Sequence, residues 1–133
     1  MLSADGLLSL ESVWPVKLVI DRLEAELRRR GLTVFARIDH AAGAASVGLT
    51  LRPTELIIFG NAKGGTPLMD LAQTVGIDLP LKMLAWEDES GTTRLSWNDV
   101  AYLARRHHVE SAADPIIDAL SCVQSALAEI ATA

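Results

Sequence analysis

Between Val16 and Arg30 the apolar residues Val16, Val19, Ile20, Leu23 and Leu27 recur at helical spacing. Asp21, Glu24, Glu26, Arg28 and Arg29 fall mostly on the other faces. Pro15 suits a first turn, and Gly31 supplies a left-handed stop. The period then changes. In TVFARID, Val34, Ala36 and Ile38 alternate with Phe35, Arg37 and Asp39, which predicts a strand with one buried face. HAAGAASVG reads as a short helical connection weakened by Gly43 and Gly48, and TELIIFG as an apolar strand. PLMDLAQTVG predicts a short helix with Thr66 as N-cap and Pro67 in its first position, ending near Gly76. LKMLAWED and TTRLSW, joined through Glu89, Ser90 and Gly91, predict a β-hairpin. Asn98 is placed to cap a helix from Asp99 to about His107, with Trp97 and Tyr102 as its hydrophobic staple. A further strand is read in LLSLESV, before the first helix.

The last segment, Ser111 to Thr132, carries a narrower pattern. Ile116, Leu120, Val123, Leu127 and Ile130 form a seam of coiled-coil type, flanked mainly by alanine and serine. Either this chain's own sheet or a second subunit must cover it, and the spacing favours a two-fold homodimer through this helix. The expected organisation is a single domain over residues 1–133, with a core at about 8–109 and a helical extension at about 111–132. Strands joined by a hairpin, with helices before and after, predict an α+β fold: a mainly antiparallel sheet with helices on one face.

Charge and composition narrow the functions. The chain has 133 residues, half of them hydrophobic, so it can bury a core without disulfides or a structural metal. Its formal net charge of −5 disfavours nucleic acid, whose phosphates need a basic face. The one basic cluster, LRRR, closes a helix, where positive charge suits the dipole. Cys122 is alone, and the N-terminus lacks the basic start and apolar core of a secretory signal. No apolar run approaches the ~20 residues needed to span a bilayer. A cytoplasmic protein with no nucleic-acid or membrane partner is expected.

Several separate stretches, in order, resemble the bacterial and archaeal domain-of-unknown-function family 302: IDHAA, LRPTELIIFGN, GTPLM, LPLK, WED and ND..YLA.RH. The likeness covers roughly residues 13–109. It implies a TATA-box-binding-protein-like fold, an antiparallel sheet with helices packed on one side, and brings no catalytic residues with it. Members often have proline after the asparagine of FGN, where this chain has Ala62. The fold name does not carry DNA binding with it.

The loop IFGNAKGGTPLMD is the first place to look for chemistry. It lacks the Lys-Ser/Thr pair of a nucleotide-binding P-loop, since Lys63 precedes Gly64 and Gly65. Asn61, Lys63, Gly64, Gly65 and Thr66 nevertheless assemble a positive charge, two glycines and a helix start, a combination that suits a small anion or small molecule. The bland reading is a strand-to-helix turn that needs the same residues. Asp39 and His40 lie together at a strand end but point to opposite faces, so His40 would need Glu87 or Asp88 as its partner. His107 and His108 diverge on a helix and make a poor chelating pair. WEDES reads as a solvated hairpin tip, and Trp86, Trp97 and Tyr102 as core or pocket wall. No metal or cofactor is expected. The composite expectation is a noncatalytic module that binds a small anionic ligand or a protein partner. The alternative is a small enzyme using Asp39, His40 or Glu87 as acid or base.

Overall fold

The apolar stripe of the first helix packs on a five-stranded sheet. The computed structural model describes residues 4–109 and 113–133. Its elements run β1 (Leu7–Ser12), α1 (Val16–Arg29), β2 (Thr33–Asp39), α2 (His40–Ser46), β3 (Thr54–Gly60) and α3 (Ala62–Leu71). A 3-10 turn (Gln73–Ile77) precedes the hairpin of β4 (Leu81–Glu87) and β5 (Thr93–Asn98), and α4 (Val100–Arg106) and α5 (Asp114–Thr132) follow. All neighbouring strands are antiparallel, in the order β1-β5-β4-β3-β2. The α+β class with a C-terminal helix is therefore what the chain adopts. Val19, Ile20, Leu23 and Leu27 of α1 are fully buried with Ile57, Phe59, Met83 and Leu95 of the sheet. Each such side chain contributes about 1.5–3 kcal/mol by leaving water.

Three local readings change. In β2, Val34 lies opposite Phe59, but after a register shift Ala36 lies opposite Ile58 and Arg37 opposite Ile57. The bulge at Phe35 reverses the alternation. Ala36 and Ile38 turn away from α1, and Arg37 turns toward it. There Arg37 meets Glu55 at 2.7 Å, Asp21 at 2.8 Å and Glu24 at 3.1 Å. Next, Asp99 rather than Asn98 caps α4, accepting from the Ala101 amide at 3.1 Å. Asn98 ends β5, so Trp97 is a buried strand residue opposite Met83 and Leu8, not a staple. Finally, the WEDES turn is no loose tip. Asp88 is buried and accepts from the Ser90 and Thr92 amides, the Ser90 hydroxyl and Arg94 Nε. Those donors, the Ser90 hydroxyl first, hold its carboxyl well below the usual range.

One face of the C-terminal helix packs within its own chain. Ser111, its expected start, lies outside the described residues. From Asp114 onward α5 lies along α1 and α4, beside β1. Its buried face is Ile117, Gln124, Leu127, Ala128 and Ala131, whereas Ile116, Leu120 and Val123 are half-buried and Ile130 is 39% exposed. The face thus follows a 3.6-residue stripe, wider than the heptad seam, because α5 packs on several elements rather than one parallel helix. Its last turn is held by Arg22, which donates to the Ile130 and Ala133 carbonyls, by Trp14 Nε1 on Ala133, and by Ser12 Oγ on Thr132. The buried residues of this stripe are covered within the chain.

The arginines of LRRR are also accounted for within the chain. Arg28 pairs with Glu24, and both Arg29 and Arg30 pair with Glu26.

Gly6, just before β1, has φ +71° and lies under Tyr102. An added Cβ would come within 2.2 Å of the ring carbon Cδ1. Gly6→Ala is therefore expected to cost more than about 2 kcal/mol, combining left-handed strain with displacement of the tyrosine. Urea unfolding measures it, and an unchanged midpoint would refute the close approach.

Candidate functional site

The strand-to-helix loop singled out above borders a cavity of about 350 Å³ at one end of the sheet. Asn61 is extended and caps α3, its Oδ1 accepting from the Gly64 amide at 2.7 Å. The helix therefore begins four residues earlier than the expected N-cap, Thr66, which now lies inside it. Pro67 also sits within the helix and cannot donate to the Lys63 carbonyl one turn back. Asn61, Gly64, Gly65 and Thr66 line the cavity; Lys63 does not. The opposite walls come from distant parts of the chain: Phe35 of the bulge, Leu79 and Pro80 before β4, and Leu120 and Val123 of α5. Carbon makes up nearly the whole surface.

Two glycines inside a helix cost about 1 kcal/mol each relative to alanine, so their presence needs a reason. A Cβ on Gly64 would press at 3.3 Å on both Asn61 Oδ1 and Leu120 Cδ2, so this glycine lets α3 and α5 close. At Gly65 a Cβ would make ordinary contact, 3.4 Å from Leu79 and 3.6 Å from Met69. Packing does not require Gly65 to be glycine; what its missing side chain leaves is space in the cavity.

The acid–base candidates are placed separately. Asp39 caps α2, accepting from the Ala42 amide at 2.9 Å, and His40 is exposed at the start of that helix. Glu87 lines a groove with Glu11 and Trp14 that neither Asp39 nor His40 lines. A histidine–carboxylate pair does exist, but elsewhere. His107 Nε2 lies 2.5 Å from Asp78 Oδ2, and its Nδ1 lies 2.9 Å from Thr74 Oγ1. Arg106 Nη1 donates to both oxygens of Asp78. The His107 and Asp78 side chains are 8% and 15% exposed. The cluster latches the end of α4 to the turn before β4, next to Leu79 and Pro80 of the cavity wall. No local spacing in the sequence points from His107 to a partner 29 residues away. Among the described residues no group of three or more His, Cys, Asp or Glu side chains is arranged to hold a metal.

The architecture is shared. A crystal structure of an uncharacterized conserved DUF302 protein from Bacillus stearothermophilus superposes with a TM-score of 0.83 at 19% identity, covering 96% of this chain and 99% of that one. At that identity the likeness establishes a common fold: one antiparallel sheet with helices and a C-terminal helix. The chain belongs to the family described as Domain of unknown function DUF302, whose model matches residues 8–127 and so reaches well into α5. It is also 49% identical over 115 residues to a fluoride-specific ion channel, FluC 1, of Brucella suis biovar 1 (strain 1330), covering 86% of this chain and 45% of that protein. FluC 1 of Brucella abortus biovar 1 (strain 9-941) matches at the same identity, with 43% of its length covered. The chain thus spans less than half the length of the curated relatives it matches. Among its described residues no helix is long and apolar enough to cross a membrane.

The Asp78 latch has a definite acid response. Burial raises its pKa, but the His107 hydrogen bond and the Arg106 charge outweigh this and leave it lowered. A carboxyl lowered on folding stabilises the fold above its unfolded pKa and loses that contribution as pH falls through the folded value. Asp78→Asn should cost about 1.5–3 kcal/mol near pH 6, the worth of hydrogen bonds to a charged group. That difference should shrink as pH falls below the ordinary aspartate range and through the lowered folded value. Thermal unfolding of both proteins across this range checks it, and a constant gap would mean that the carboxylate charge contributes nothing.

Proposed function

We propose that this chain is a noncatalytic cytoplasmic binding module whose cavity receives a small ligand with an apolar body and an anionic head, comparable to a medium-chain carboxylic acid. The observation that carries this reading is the carbon-walled cavity of about 350 Å³, within the range of small-molecule sites. Polar groups are confined to the Asn61, Thr66 and helix-start side, with Lys63 one residue beyond the lining Ala62. An apolar body leaves water for the wall, and the head stays at that polar margin. The same wall argues against a bare fluoride ion as the ligand, since carbon cannot replace its hydration. Net charge of −5 and the pairing of each LRRR arginine support a function away from nucleic acid.

A thermal-shift series of carboxylic acids from acetate to decanoate, each compared with its alcohol, tests the reading. Stabilisation is expected to grow with chain length and to be larger for the acids. Lys63→Ala should reduce the acid's advantage alone. Gly65→Ala should stabilise the free protein by about 0.5–1 kcal/mol, through helix propensity, while weakening every ligand in the series. A wild-type response independent of chain length would overturn the proposal.

The Brucella relatives favour one further reading: the domain works beside a fluoride channel as a non-conducting accessory. In those proteins the matched stretch leaves more than half the length outside it, and this chain has no membrane-length helix among its described residues. Excising the matched stretch from the Brucella suis protein should leave fluoride flux measurable in liposomes. Complete loss of flux from a folded remainder would refute a non-conducting role.

A further inference from the structure

The sheet face turned away from α1 carries a separate groove of about 360 Å³. Strand register assembles it: Leu56 lies opposite Leu84, Leu84 opposite Ser96, and Leu7 opposite Asn98. Trp86 forms part of its wall. The indole N–H donates to Ser96 Oγ at 2.8 Å, and Ser96 Oγ in turn lies 2.6 Å from Ser9 Oγ. With its donor committed, Trp86 has its ring surface rather than a hydrogen bond to offer a ligand.

One cation stands in this apolar setting. Lys82 lines the groove with Asn98, and its Nζ donates to the Asp78 backbone carbonyl at 3.0 Å. The Asp78 carboxylate is already engaged by Arg106 and His107. Among the described residues no carboxylate lies within ion-pair distance of Lys82, whereas nine of the ten ion pairs among them join an arginine to a carboxylate. Burial lowers the Lys82 pKa despite the attraction of Asp78, so its charge is incompletely compensated. A desolvated ammonium gains most from an anion brought to it in low-dielectric surroundings.

We propose that this groove binds a small planar aromatic carboxylate, with the acid on Lys82 Nζ beside Asn98 and the ring over Leu56 and Leu84 against Trp86. Charge selects the head and the aromatic wall selects the body. The site is on the opposite side of the sheet from the cavity under α3 and does not depend on that cavity's function.

The experiment is an NMR titration of the isotope-labelled protein with 2-naphthoate, alongside the uncharged 2-naphthylmethanol. Naphthoate should produce saturable shifts of the Trp86 indole N–H and of the Leu56 and Leu84 methyl groups. Lys82→Met should weaken naphthoate about tenfold or more and leave the alcohol within about twofold. Lys82→Arg should keep the preference for the acid, which separates lost charge from a damaged fold. Gly65→Ala, which fills the other cavity, should leave these shifts unchanged. Shifts confined to Leu120 and Val123, equal weakening of acid and alcohol by Lys82→Met, or no saturation would each overturn the proposal.

Discussion

Leu127, Ala128 and Ala131 are fully buried where α5 lies along α1, and the two alanines let the helix backbones approach closely. This contact lets the chain's last helix complete the layer above the sheet. Leu27, Leu23 and Ile20 of α1 hold the strands from below the helices, and α5 shields the remaining side of α1. Arg22 and Trp14 then satisfy the carbonyls at the end of α5, which a helix end cannot satisfy alone. The cavity exists because of the same docking. Leu120 and Val123 face α3 only while α5 stays seated, so a loosened α5 would open the site as well as the core.

The parts of the fold legible in the sequence are those decided within one element. The α1 stripe, the Gly31 stop and the β4–β5 hairpin all rest on local periodicity and turn chemistry, and all stand in the structure. Choices between two adequate local signals were settled by tertiary contacts. Asn61 and Thr66 can each cap a helix, and the outcome follows from Gly64 fitting beneath Leu120. In β2 a clean alternation concealed a bulge, because Arg37 finds three carboxylates on the helix side and outweighs the apolar count of Val34, Ala36 and Ile38.

The lining of the candidate cavity was half legible for the same reason. Asn61, Gly64, Gly65 and Thr66 belong to one local motif and do border the cavity. Nothing in that motif points to Phe35, Leu79, Pro80, Leu120 or Val123, which make the surface of the cavity apolar. The pairing of His107 with Asp78 and the isolation of Lys82 are also products of chain folding. A residue's type can be read from sequence, but its electrostatic company cannot.

β2 is an edge strand, with no strand beyond it among the described residues. A regular edge of free amides and carbonyls invites strands of other molecules to add in register and extend the sheet. The extra residue at Phe35, itself 55% exposed, interrupts that regularity. The bulge that brings Phe35 to the cavity thus also gives the sheet a blunt margin, protecting a chain that is half hydrophobic from growing sideways into aggregates.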